Sequence, residues 1–221
     1  MKECLLCNKE LKTSEHFTDL IFINQQEKWI CKECKENFEQ IGEIHCPRCF
    51  KDKEEKVCKD CEFWEDKGNT VQHEALYRYN GAMKDYFKRY KFEGDRLLGM
   101  VFASDIKKAL KKYKNYTIIP TPISHEKKQE RGFNQVSTIL DFAEIKYSTL
   151  FHKEDSLAQS KKTREERLKT SQHFQLTEEV PKKQKYLIFD DIYTTGKTIE
   201  LMKRLLIEKG VKEIKTFSIA R

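Results

Sequence analysis

With 221 residues the chain has room for one ordinary domain and a small attachment, enough to bury a real hydrophobic core, and two domains are expected. Its formal net charge of +7 is uneven: residues 1–66 hold 11 Lys+Arg against 16 Asp+Glu, leaving 32 against 20 beyond them. The larger, basic part should therefore meet an anionic partner, either a phosphorylated small molecule or a nucleic acid, although a solvated lysine-rich surface would have the same composition. No apolar run approaches the roughly 18 residues of a bilayer span, and Met1-Lys2-Glu3-Cys4 opens no signal peptide. Neither membrane insertion nor export is expected, and the chain is read as cytoplasmic.

All eight cysteines fall in the first 61 residues, as four Cys-x-x-Cys knuckles: Cys4/Cys7, Cys31/Cys34, Cys46/Cys49 and Cys58/Cys61. In a reducing compartment such pairs mean metal more often than disulfide. Two intervening residues let both sulfurs face one tetrahedral ion, and two knuckles complete a closed, structural Cys4 set. The simplest pairing joins the first knuckle to the second and the third to the fourth, giving two zinc ribbons. A crossed pairing is the alternative. His16, His45 and His73 are spare ligand candidates, better read as surface or packing residues because the cysteines already suffice. Between the first two knuckles, residues 20–23 and Trp29-Ile30 suggest a hairpin around Asn24-Gln25-Gln26. The module's negative charge makes it a poor phosphate-binding surface, so a scaffold or docking role is favoured.

A polar passage over residues 65–70 marks a boundary, with domains expected at 1–66 and 71–221. Residues 75–79 read as a strand closed by the turn pair Asn80-Gly81. Met83, Tyr86, Phe87 and Tyr90 then form one face of a helix that leaves Lys84, Lys88, Arg89 and Lys91 exposed. Lysines interleaved with aromatics suit a single strand of nucleic acid, but aromatics at this spacing are more often core. A second helix follows from Leu97 to Leu110, then a strand ending at Pro120-Thr121-Pro122. His125, Lys127, Lys128 and Arg131 crowd a short loop leading to a helix through Val136 and Ile139, and the planar fork of Arg131 suits pyrophosphate. Residues 147–180 are charge-dense; a mobile flap and a surface helix both fit them.

Residues 186–189 are a short buried strand that stops at Asp190-Asp191 and gives way to Thr194-Thr195-Gly196-Lys197-Thr198 at the start of a helix. Ligands of open α/β sheets bind beyond the carboxyl ends of such strands. Gly196-Lys197-Thr198 is not a nucleoside-triphosphate P-loop, because the required glycine five positions earlier is Asp191. Free amides at a helix N-terminus and three hydroxyls can cradle one phosphate monoester, while two carboxylates accept hydrogen bonds from vicinal hydroxyls. Together these describe a ribose 5-phosphate. A final strand over residues 214–220 follows Gly210, which can end the preceding helix.

Residues 186–198 resemble the 13-residue phosphoribosyl pyrophosphate signature of type I phosphoribosyltransferases. Together with the four knuckles, Lys91-Phe92-Glu93-Gly94-Asp95, Pro120-Thr121-Pro122 and Arg131-Gly132-Phe133-Asn134-Gln135, they resemble the ComF (ComFC-like) family of competence proteins over nearly the whole chain. The resemblance implies an α/β fold, a type I phosphoribosyltransferase-like parallel sheet with flanking helices behind a small double zinc-ribbon module, and two structural zinc ions. It also implies a role in DNA uptake during natural transformation, with single-stranded DNA and a competence helicase or translocase as partners. Asp190 and Asp191 would then hold the ribose hydroxyls, and Thr194, Thr195, Gly196, Lys197 and Thr198 the 5-phosphate. Thr121, Pro122, Ile123 and Ser124 would face pyrophosphate with Mg2+. No residue receives a catalytic role, and the alternative is an active phosphoribosyltransferase with a nucleobase or unknown acceptor.

Overall fold

The computed structural model describes residues 3–11, 29–154 and 174–221. The hairpin expected around residues 24–26 and the charged run 161–167 lie outside them. Two short helices, α1 (Lys32–Glu36) and α2 (Lys59–Asp66), belong to the cysteine-rich segment. They are followed by β1 (His73–Tyr77), α3 (Gly81–Phe92), a 3-10 turn over Arg96–Val101, α4 (Ala103–Leu110) and β2 (Thr117–Pro120). The chain continues through α5 (His125–Arg131), α6 (Gln135–Phe142), β3 (Phe151–Lys153), β4 (Phe174–Leu176), β5 (Tyr186–Ile192), α7 (Lys197–Glu208) and β6 (Ile214–Ala220).

The main sheet is parallel, with strand order β1-β6-β5-β2. Strand β5 is central, and Tyr186, Leu187, Ile188 and Phe189 are all buried, as a strand covered on both faces requires. Successive side chains of a strand point to opposite faces. Leu187 and Phe189 accordingly join one core with Met83, Tyr86, Phe87, Tyr90, Ile106, Val136 and Ile139 from α3, α4 and α6. Tyr186 and Ile188 join the other, with Ile199, Met202 and Leu206 of α7 and Phe151 and Phe174 of the antiparallel pair β3-β4.

Several expectations shift locally. The first strand begins two residues earlier, at His73, because that imidazole is buried across β6 between the hydroxyls of Thr216 and Ser218, each 2.9 Å away. Asn80 does not make a turn: its side-chain oxygen accepts from the Met83 amide at 2.9 Å and caps α3. The aromatic face of α3 is core rather than a stacking surface. Only two of its four expected surface cations, Lys84 and Lys88, are exposed. Arg89 instead donates to the carbonyls of Leu5 and Leu6, and Lys91 turns inward. The basic loop at 125–131 is a helix, capped by the Ser124 hydroxyl at one end and by Gly132 in the left-handed region (φ 77°) at the other. The second helix is divided, its first turns being 3-10.

Candidate phosphoribosyl site and cysteine clusters

The cysteines form two groups in sequence order: Cys4, Cys7, Cys31 and Cys34, then Cys46, Cys49, Cys58 and Cys61. Sulfur–sulfur separations of 3.7 Å (Cys7 to Cys31), 3.9 Å (Cys46 to Cys61) and 3.5 Å (Cys49 to Cys58) are far beyond a bond. They match the roughly 3.8 Å edge of a tetrahedron built on zinc–sulfur bonds of about 2.3 Å. Each tetrad therefore fits one tetrahedral ion. Both are built alike: the second knuckle opens a helix, and its first cysteine, Cys31 or Cys58, donates its amide to the leading sulfur, Cys4 or Cys46, at 3.3 or 3.4 Å. Among the described residues no histidine joins either group. His45 stacks on Phe50 and His73 lies in the sheet.

At the carboxyl end of β5, residues Asp190, Ile192, Tyr193, Thr194, Thr195, Gly196, Lys197, Thr198 and Ile199 line one concavity. Gly196 sits at φ 76°, and a Cβ there would meet the Tyr193 hydroxyl at 2.2 Å, so both backbone and space demand glycine. Gly196 is the N-cap of α7 and offers no side-chain cap, and the first helical amide, that of Lys197, has only the Thr195 hydroxyl at 3.5 Å. Thr194, Thr195 and Lys197 are exposed beside them.

The two acids part company. Strand pairing runs through Ile192, so adjacent side chains must diverge. Asp190 lies on the concavity, where its Oδ1 accepts from the Thr121 hydroxyl at 2.7 Å and from the Asp191 amide at 2.9 Å. Burial first, then the neighbouring Asp191 carboxylate, push its carboxyl up from 3.8 to about 7, against those two hydrogen bonds and the Lys91 ammonium. Asp191 points the other way, into the α3 side of the sheet, with Oδ2 2.5 Å from Lys91 Nζ. That ammonium also lies 4.6 Å from the Phe87 ring centre. Of the two carboxylates expected at one ligand, Asp190 lines the concavity and Asp191 pairs with Lys91 on the other face of the sheet.

The Thr121-Pro122-Ile123-Ser124 turn is brought to the site by the Thr121 to Asp190 bond. Asn134 holds it from behind, donating to the Thr121 carbonyl at 3.1 Å while its own oxygen caps α6 through the Val136 amide. Arg131 donates to Gln135 Oε1 at 2.9 Å and lies over the Phe92 ring. Lys153, unnoticed in the sequence, pairs by backbone with Ser124 at the rim of this turn. Burial, followed by the positive charge of Lys127, lowers its pKa, and Asp190 partly offsets both. No motif marks Lys153, since only the β3-β4 pairing brings it here.

A family model described as "Phosphoribosyl transferase domain" matches residues 98–221. The chain is 44% identical over 219 residues to "Competence protein ComFC" of Streptococcus pneumoniae (strain ATCC BAA-255 / R6), covering 99% of this chain and 100% of the relative. The chain belongs to the ComFC family. To "Competence protein ComFC" of Bacillus subtilis (strain 168) it is 30% identical over 227 residues, with 99% and 94% covered. A solved hypoxanthine phosphoribosyltransferase from Staphylococcus aureus overlaps 56% of this chain and 63% of that one at 14% identity, with a TM-score of 0.33, too loosely to bear on function. The ComFC relatives span the cysteine tetrads and the sheet as one unit. Among the described residues no helix is long and apolar enough to cross a membrane.

Proposed function

We propose that this protein binds phosphoribosyl pyrophosphate at residues 190–198 and works in the cytoplasm on single-stranded DNA during natural transformation, with zinc in both cysteine tetrads. The observation that carries the ligand is the loop itself: an uncapped helix N-terminus and three threonine hydroxyls at one end of a concavity, and the Asp190 carboxylate at the other. The amides and hydroxyls of residues 194–198 receive the 5-phosphate. Asp190 accepts from a ribose hydroxyl, and Asp191 supports the strand end through Lys91. The backbone of the turn at 121–124, with Lys153 and Lys127 nearby, faces the pyrophosphate. Asp190 is the carboxylate suited to a ribose-bound Mg2+, whose chemistry is to neutralise charge on departing pyrophosphate.

Calorimetry with magnesium and phosphoribosyl pyrophosphate tests this directly. Asp190→Asn should weaken binding at least about tenfold, the loss of one charged hydrogen-bond acceptor; unchanged affinity would remove the site assignment. For DNA, the support is the excess of 32 Lys+Arg over 20 Asp+Glu beyond residue 66 and the competence proteins to which the chain is similar. Binding to single strands should fall steeply with salt. A helicase or translocase of the uptake machinery is the proposed protein partner. Turnover is a second reading, favoured by Asp190, whose carboxyl is pushed upward by burial and by the adjacent Asp191 carboxylate. Pyrophosphate release that depends on one added acceptor, whether a nucleobase or DNA, would establish it.

A further inference from the structure

Arg221 is rooted firmly: its amide donates to the Tyr77 carbonyl and its carbonyl accepts from the Tyr79 amide, each at 2.9 Å, extending the pairing of β6 with β1. From that base its guanidinium is almost fully buried and reaches two regions at once. Nη2 donates to Asp60 Oδ2 at 2.9 Å and approaches Cys49 Sγ at 3.4 Å, both parts of the second cysteine tetrad and its helix. Nη1 donates to the Thr194 carbonyl at 2.5 Å and the Tyr193 carbonyl at 3.3 Å. The guanidinium also lies over the Tyr193 ring, which stacks with His73 at 4.0 Å. The next carbonyl, that of Thr195, accepts from Trp64 Nε1 at 2.7 Å, and Trp64 lies on α2, three residues beyond Cys61.

Three consecutive carbonyls, 193 to 195, are thus held by donors from one side. The chain has no cis peptide among the described residues. In a trans peptide the N–H points opposite to the C=O of the same plane. Pinning these carbonyls toward the tetrad therefore turns the amides of Thr194, Thr195 and Gly196 toward the concavity, where an anion would sit. A disordered loop would have to acquire this orientation on binding, at a cost in conformational entropy.

We infer that Arg221 and Trp64 are positioning residues that make the phosphate loop's amide orientation depend on the metal-loaded second tetrad. The inference rests on the reading of residues 190–198 as a phosphate site, but its structural half does not need a ligand. Arg221 ties the tetrad to the loop because its planar fork serves both; a lysine can serve one at a time. The first tetrad makes no such contact among the described residues and should be indifferent.

The test uses the full chain. Hydrogen exchange is followed without ligand at the amides of Tyr193 and Glu200, which bond to Ala220 and Gly196 carbonyls and bracket the loop, with the Thr117 amide as a distant control. In Arg221→Lys, and to a smaller degree in Asp60→Asn and Trp64→Phe, exchange at the two loop-flanking amides should rise about tenfold, the size of one lost hydrogen bond. Exchange at Thr117 should stay unchanged and about two zinc per chain be retained. Affinity for ribose 5-phosphate should fall by a similar factor. Cys34→Ser in the first tetrad should leave the two loop-flanking amides unchanged. Exchange within about twofold of wild type in both Arg221→Lys and Trp64→Phe overturns the inference. So does equal acceleration at Thr117, which would indicate general destabilisation. If wild type binds no ribose phosphate, the functional reading fails, and the exchange data still decide the coupling.

Discussion

The two cysteine tetrads share a spacing and a local construction, yet they stand in different relations to the sheet. In the first, Cys4 is buried but Cys7 is exposed, and among the described residues Leu5, Leu6 and Ile30 lean on the α3 core beside the buried Phe38, along a groove of about 180 Å3 against that helix. In the second, all four cysteines are buried in the same core as Tyr186, Ile188, Tyr193 and Met202. One motif can thus make a peripheral clip or an integral part of the fold. Its neighbours decide which, because a small module gains stability from metal alone unless it also shares apolar burial.

The sharpest way to break this comparison is to damage each tetrad in turn. Cys46→Ser should cost about 4 kcal/mol or abolish folding, whereas Cys7→Ser should cost about 1 kcal/mol in urea denaturation, each with loss of one metal ion. Equal costs would mean that the difference in burial has no energetic weight. The two faces of β5 offer the next test. Lys91→Met leaves the Asp191 carboxylate buried without its partner and should destabilise by about 3 kcal/mol; adding Asp191→Asn should recover most of that. On the loop between the faces, Gly196→Ala should cost about 2 kcal/mol through its positive φ and the Tyr193 hydroxyl. Tyr193→Phe in the same chain should relieve part of it.

The Asp190 side carries a smaller, pH-dependent signature. Its carboxyl is raised in the fold, so ionising it opposes folding. That penalty is absent below the ordinary value of 3.8 and complete above about 7, and stability should fall as pH rises through the window. Asp190→Asn should remove this slope, gaining about 1 to 2 kcal/mol over wild type at pH 8 but not at pH 4. A parallel pair of pH–stability curves would contradict the assignment. Smallest, on the α3 side, Asn80→Ala should cost about 1 kcal/mol by uncapping that helix.

The tetrads, the strand at 186–189 and the glycine-led start of α7 were legible because each is a local pattern: ligand spacing, an apolar run, and a glycine at a helix start. The short helix at 125–131 was also written locally, in Ser124 and Gly132, but dense charge masked the caps. The divergence of Asp190 and Asp191 was available in principle, since neighbours on a strand cannot share a face. It was hidden by the expectation that the strand stops at the first acid, whereas pairing with β6 carries it to Ile192. Arg131's contacts with Gln135 and Phe92 were not legible, since both depend on how the helices are placed.

By itself the sequence determined how the cysteines group into two tetrads, which strand is buried on both faces and that a glycine-led helix follows it, because spacing and hydrophobic run length act within a few residues. Only the tertiary structure decided which carboxylate lines the concavity, that Lys91 pairs with the other, and that Arg221 and Trp64 join the second tetrad to the loop at 193–195. Those relations link residues more than a hundred positions apart. Their partners are chosen by how the strands are ordered and the helices packed, which no local pattern encodes.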